Sequence, residues 1–333
     1  MKKIKAIVLL SGGLDSSLAA KLVKDQGIEL IGVKFISPFS SCNDEDHCHA
    51  KKIADQLKIP FKAIHIEKDY LKIIRKPRFG YGSGMNPCID CRIYMLKKAW
   101  KFAQEIGASF LVTGEVLNQR PMSQHLRAFK IIEEETGLEG KILRPLSAQL
   151  LPPTEAEREG WIARGKLLAI KGRSRKLQLR LAEEFGIHEF SSPAGGCLLT
   201  DKEFSAKLRD LFAHKKKVDW LDIRLLKIGR HFRFGKSKII VGRNKKENNL
   251  LVALKQKSDY MFKVPDWGSP ISLLQGEKSA EAIQLAARLT ARYSDCKDRF
   301  VKIKYGRKAF FRTIEVENLT NEELECIKKL YKI

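Results

Sequence analysis

Three stretches of the chain carry residue types and spacings that could do chemistry. The first is SGGLDSS (residues 11–17), set directly after the apolar run AIVLL. A glycine turn between a strand and a helix presents backbone N–H groups that suit phosphate oxygens. Gly12 and Gly13 let the chain approach an anion closely, and Ser11 and Ser16 offer hydroxyls. Asp15 would repel the anion, so it makes sense as a bridge to Mg²⁺ or as an orienter of loop amides. The spacing is neither GxxxxGK[ST] nor GxGxxG. The second set is Cys88-Ile-Asp-Cys91 with the distant Cys197 of SSPAGGC. Thiols in C-x-x-C spacing can ligate one metal centre or exchange disulfides, and turn-rich flanks allow the sulfurs to meet. The third set is basic: Arg173, Arg175, Lys176 and Arg180 in GRSRKLQLRLAEEFGI, and Arg243, Asn244, Lys245 and Lys246 in IIVGRNKKENNLL. Such side chains contact phosphates and base edges, and Trp267 offers a face for stacking.

The elements that must position these residues follow from periodicity. AIVLL, ELIGVKF, FKAIHI and SFLVTG read as buried strands, and SLAAKLVKDQ, CHAKKIADQLKI and CRIYMLKKAWKFAQEIG as helices between them. This alternation predicts an α/β, doubly wound parallel sheet, in which ligands bind at the carboxyl ends of strands, where SGGLDSS falls. GRSRKLQLRLAEEFGI (172–187) predicts an arginine-rich helix, and EFSAKLRDLF a further one. KIIVGRNKKENNLLVAL predicts a strand, a polar turn and a strand or helix, SAEAIQLAARLTARYS a helix, and RFVKIKYG an edge strand. The last third is therefore expected to be a C-terminal α+β domain. The expected division is a first domain over 1–200, a linker over 201–219 and a second domain over 220–333.

The 333 residues include 63 lysines and arginines against 39 acidic residues, a net charge of +24. An imbalance this large points to a polyanionic partner, nucleic acid above all. No apolar segment is long enough to span a bilayer, and a membrane partner is not expected. The basic, apolar start lacks a cleavage site, so a cytoplasmic protein with reduced thiols is expected. Cys42, His47, Cys48 and His49 crowd into one short stretch and read as a loop near the site, with Asp46 as a helix cap. Cys296 and Cys326 stand alone and read as structural.

SGGLDSS at the end of a first strand resembles the pyrophosphatase loop of the PP-loop ATP pyrophosphatase superfamily. The MNPCxxC and GGC pattern resembles its tRNA thiolation branch, the 2-thiouridylases and 4-thiouridine synthetases. TGEVLNQRPMSQ (113–124) is similar to a TGE-x-LGQ-x-x-SQ stretch of the latter, with Asn118 in place of the usual glycine, and ILRPLSAQ fits both. The resemblance implies an ATP-dependent tRNA sulfurtransferase that turns a uridine into a thiouridine. ATP with Mg²⁺ would lie on Ser11, Gly12, Gly13, Asp15, Ser16 and Ser17, beside Val33, Phe35, Thr113 and Gly114. Cys88, Cys91 and Cys197, with Asp15, would be catalytic, the thiols holding a [4Fe-4S] cluster or, alternatively, carrying a persulfide. Free sulfide or a persulfide carrier would donate sulfur, and a homodimer is compatible with this reading. The alternatives are a PP-loop enzyme forming a C–N bond on RNA and a non-catalytic RNA-binding factor. IIVGRNKKENNLL resembles the RNA-binding domain of the NFACT-R type.

Overall fold

The computed structural model describes residues 3–40, 49–190 and 197–333; Cys42, Asp46, His47 and Cys48 lie outside the described residues. The chain divides into two compact units, Met1–Asp201 and Lys202–Ile333. In the first, the order is β1 (Lys5–Leu9), α1 (Leu14–Lys24), β2 (Glu29–Ile36), α2 (His49–Gln56), β3 (Phe61–His65), α3 (Tyr70–Arg75), α4 (Cys88–Glu105), β4 (Phe110–Thr113), α5 (Leu126–Thr136), β5 (Ile142–Leu143), α6 (Glu155–Arg158) and α7 (Lys176–Glu184).

All five strands pair in parallel, in the order β3-β2-β1-β4-β5. This is the expected doubly wound sheet. Ala6, Ile7 and Val8 of β1 are fully buried, as a central strand covered on both faces must be. Leu14, Leu18 and Val23 of α1 join Ile53 of α2 in the core on one face. The strand order reverses between β1 and β4, so the crevice opens at the carboxyl end of β1. Helix α4 begins at Cys88 itself. Both cysteines of CIDC therefore sit in the helix's first turn rather than ahead of it.

The second unit runs α8 (Lys202–His214), α9 (Trp220–Leu226), β6 (Arg230–Phe234), β7 (Ser237–Val241), α10 (Lys245–Leu254), β8 (Tyr260–Lys263), β9 (Ser272–Gln275), α11 (Ala280–Arg292), β10 (Phe300–Gly306), β11 (Arg312–Glu317) and α12 (Asn321–Tyr331). Its antiparallel sheet has the order β11-β10-β8-β9-β7-β6. Phe232, Ile239, Phe262 and Leu274 pack against Ala282, Ala286 and Leu289 of α11. Leu225 of α9 and Leu251 of α10 pack with Ile240 and Leu273.

Three expectations are corrected here. Most of the expected linker, 201–219, is α8, whose Leu208 and Leu211 are buried and which belongs to the second unit. RFVKIKYG is not the edge: β10 pairs with β8 and β11, and its alternation arises because Val301 and Ile303 face the core while Phe300, Lys302 and Lys304 face outward. The arginine-rich helix is shorter than 172–187, since α7 starts at Lys176 and leaves Arg173 and Arg175 before it.

Candidate functional site

At the carboxyl end of β1 the chain turns through Gly12 at φ +84. A Cβ there would stand 2.9 Å from the Ala50 amide nitrogen of α2, so glycine is required both by conformation and by the close approach. The loop's own serines brace it. The Gly13 amide donates to Ser11 Oγ at 3.2 Å, and the Ser16 and Ser17 hydroxyls donate to the Gly13 carbonyl at 2.8 and 3.0 Å. Lys34 Nζ donates to the Ser11 carbonyl at 2.6 Å and sets a cation against the turn. Its place among the apolar residues of LIGVKF is the signal in the sequence that points to it. Gly114 holds β4's exit against the loop: a Cβ on it would lie 2.6 Å from the Asp15 carbonyl carbon.

Asp15 is half-enclosed by residues remote in sequence. Gln119 Nε2 donates to its Oδ2 at 3.1 Å, while its Oδ1 has no hydrogen-bond partner among the described residues. Burial pushes the carboxyl up, and Gln119, Arg175, Gln178 and Arg120 pull it back. Gln178 is 0% exposed, and neither atom of its amide finds a partner of good geometry. Gln119 and Gln178 were not singled out from sequence, because neither type carries charge or catalytic chemistry of its own.

Beside the loop lies a cavity of about 250 Å³ lined by Ser11, Val33, Lys34, Phe35, Arg92, Arg120 and the three thiols of Cys88, Cys91 and Cys197. Gly12, Gly13, Asp15, Ser16, Ser17, Thr113 and Gly114 do not line it; they form the turn and its support. Thr113 is buried and donates to Glu115 Oε2 at 3.2 Å. Backbone bonds bring the distant cysteines together. Met85, ahead of α4, donates to the Leu199 carbonyl at 2.8 Å, and Leu198 donates to Phe39, beyond β2, at 2.8 Å. Ser40 and Cys197 form an isolated antiparallel bridge.

Burial pushes all three thiols up, Cys197 to about 12. Arg92 and Arg120 oppose this at Cys88, and a hydrogen bond from Tyr70 opposes it at Cys91. A helix N-terminus and nearby cations would favour thiolates, but desolvation outweighs them here. All three are free thiols, and among the described residues no three His, Cys, Asp or Glu side chains stand at metal-ligating spacing.

Arg92, one residue after Cys91, is aimed by a buried ion network. Glu115 pairs with Arg92 Nε at 3.1 Å and with Arg144 Nε at 3.2 Å, and Arg144 also bonds Glu133 and lies 4.0 Å from the Phe129 ring centroid. Asn118 takes φ +61, so the left-handed turn is kept by the residue best able to replace glycine there.

The basic residues divide. Arg173, Lys176 and Arg180 are exposed, whereas Arg175 turns toward Asp15. Arg243 is held by Glu247, accepting at 2.9 Å from its Nε and at 2.8 Å from its amide, and Asn244 caps α10 by accepting from the Glu247 amide at 3.0 Å. Lys245 and Lys246 are exposed. Trp267 is 52% exposed.

Residues 4–134 match the tRNA methyl transferase HUP domain, and residues 229–327 match the NFACT protein RNA binding domain. The tRNA-specific 2-thiouridylase MnmA of Lactobacillus delbrueckii subsp. bulgaricus is 33% identical over 123 residues, 34% of this chain and 32% of that protein. MnmA 1 of Geobacillus kaustophilus is 34% identical over 129 residues, 34% of each chain. The chain thus spans about a third of the length of these curated relatives. A 4-thiouridine synthetase–RNA complex with bound ATP aligns at 21% identity and TM-score 0.37, covering 67% of this chain and 52% of that one. The U34-tRNA thiolase NcsA of Methanococcus maripaludis, with its [4Fe-4S] cluster, aligns at 20% identity and TM-score 0.36, covering 67% and 69%. The resemblance to the PP-loop tRNA thiolation branch in the first unit, and to the NFACT type in the second, holds.

Proposed function

We propose that the chain is an ATP-dependent tRNA sulfurtransferase. The observation that carries this reading is that Cys88, Cys91 and Cys197 share one cavity with Ser11, Lys34 and Phe35 at the carboxyl end of β1. The likeness of the first third of the chain to 2-thiouridylases supports it. ATP would lay its phosphates on the loop amides beside Lys34, with adenine against Val33 and Phe35. A uridine, extruded from its stack, would present a carbonyl oxygen to the α-phosphorus. That oxygen forms the new P–O bond as pyrophosphate leaves. Hydrosulfide then adds to the same ring carbon, AMP departs with the original oxygen, and loss of the S–H proton leaves a C=S group. Arg120 and Arg92 stand where they would offset charge developing in the cavity.

A lone carboxylate already bonded by Gln119 and faced by Arg120 and Arg175 does not suffice as a Mg²⁺ site. Mg²⁺ would therefore arrive on the triphosphate, and Asp15 would orient the loop and Gln119. The thiols differ. Three soft donors line one cavity with two arginines to offset negative charge; they are not spaced to chelate a single metal ion, but a [4Fe-4S] cluster would take each thiolate on a separate iron, so the donor set suits it. When bound, it would supply an open iron for sulfide. The thiols' part is to give up their protons as they ligate, which the surrounding arginines assist.

Anaerobic purification with iron and sulfide assay tests this. About four irons and four sulfides per chain and a brown chromophore are expected, lost in C88A, C91A or C197A. Thiouridine in co-incubated tRNA, read by mass spectrometry, should fall with them. A colourless, iron-free, fully active protein would return the persulfide route. Undiminished tRNA-dependent pyrophosphate release in all three variants, with no thiouridine formed even by the wild-type protein, would point instead to a C–N bond-forming enzyme.

A further inference from the structure

The turn joining β10 to β11 gathers aromatic and cationic side chains. Phe311 is 69% exposed, the most exposed large apolar side chain among the described residues. Its ring lies beside Gly306, with Cε1 3.4 Å from where a Cβ on that glycine would stand. The exposed charges gathered here are cationic. The Arg307 and Arg312 guanidinium carbons lie 5.4 and 5.9 Å from the Tyr260 ring centroid, and Lys278 Nζ lies 5.7 Å from it. Lys263 Nζ lies 4.9 Å from the Phe310 centroid, and Lys255 Nζ donates to the Arg307 carbonyl at 2.9 Å. Among the described residues, the ion pairs in this part of the fold are those of Arg243, Arg288, Arg299 and Lys328; Arg307, Lys308 and Arg312 have no carboxylate partner. The nearby acid, Asp259, is buried and is bonded to Gln256 and Gln275.

We propose that this turn is a stacking site for an unpaired base of an RNA strand. Phe311 receives the base on its exposed face, and Arg307, Lys308 and Arg312 receive the flanking phosphates. A flat ring beside uncompensated cations is what a single strand requires, since a duplex hides its base faces. The turn resembling the NFACT signature is less suited to this task, because Arg243 and Asn244 are held by Glu247 and the start of α10. The inference rests on the reading of the chain as acting on RNA.

The test uses the full chain with a fluorescein-labelled oligouridine and an unmodified tRNA transcript, titrated at several salt concentrations. F311A should weaken oligouridine binding roughly 5- to 100-fold with little change in salt slope, and F311W should restore it. The double variant R307A/R312A should lower the log–log salt slope by about 1 to 2. Oligouridine affinity unchanged in F311A, with wild-type binding intact, would overturn the inference and leave the tRNA reading standing. Failure of folded F311W to recover what F311A lost would also overturn it. Wild-type protein binding neither RNA would bring down both.

Discussion

Cys197 shows how far a residue's chemistry depends on what folding places around it. Its identity and glycine-rich neighbourhood are plain in the sequence, but its burial to a pKa of about 12 is set by contacts from the ends of β2 and the start of α4. A raised pKa leaves less thiolate at neutral pH, and alkylation follows the thiolate. Iodoacetamide at pH 7.5 should therefore label exposed Cys326 well before Cys88, Cys91 or Cys197, and Cys197 should react appreciably only in strong alkali. Peptide mapping after timed alkylation reads this directly; equal rates at Cys197 and Cys326 would contradict it. SGGLDSS and CIDC were legible because glycine, cysteine and their spacing are distinctive. The support of Asp15 was not, since Gln119 and Gln178 meet it only through the fold and look ordinary in the chain.

Among elements, the buried charges between α8 and the β6–β7 hairpin carry the clearest energetic consequence. Burial pushes the Asp210 carboxyl up, but the hydrogen bond from Arg233 and the charges of Lys238 and Arg233 together hold it below its usual range. Lys238 is itself pulled down to about 8 by burial. His231 is fully buried, and burial with the charges of Lys238 and Lys207 holds it well below an ordinary histidine. Asp210 and His231 are depressed in the folded state, so the stability they contribute is present at neutral pH and lost as pH falls, whereas the Lys238 contribution is already lost between about pH 10.5 and 8. The His231 share should begin to go below about 6.5, and the Asp210 share below about 4. Urea unfolding of the chain across pH 3–8 should show both steps, with H231Q removing the upper one. D210N should cost about 3–5 kcal/mol, because Lys238 and Arg233 would be left buried without a counter-charge. A midpoint independent of pH, or a silent D210N, would refute this. Helix α8 was read correctly from its apolar spacing, yet a partner such as Arg233 lies too far along the chain to be foreseen. The alternation of RFVKIKYG was likewise visible, but period two reports one buried face and not the position of a strand in its sheet.

At the scale of the whole molecule, the net charge of +24 was legible from composition alone, and the structure says which cations are available to a polyanion. Arg173, Lys176, Lys245 and Lys246 are exposed and unpaired with any carboxylate among the described residues, whereas the exposed Arg243 is engaged by Glu247 and the half-buried Arg175 turns toward Asp15. Each lysine that neutralises a phosphate releases counterions, so affinity should fall steeply with salt: six or more contacts would cost about 10³-fold or more in binding between 50 and 200 mM salt. K245A and K246A should each weaken binding to every RNA alike and lower the log–log slope by about 1. R243A should behave differently, leaving the slope nearly unchanged, because its guanidinium is engaged by Glu247 at the start of α10 and its loss acts on the fold. Filter binding of tRNA by the full chain across a salt series, paired with thermal melts of each variant, separates the two effects. A slope near zero for wild-type protein, or a full unit lost in R243A with its melting temperature unchanged, would show that the surface charge is arranged for something other than a phosphate backbone.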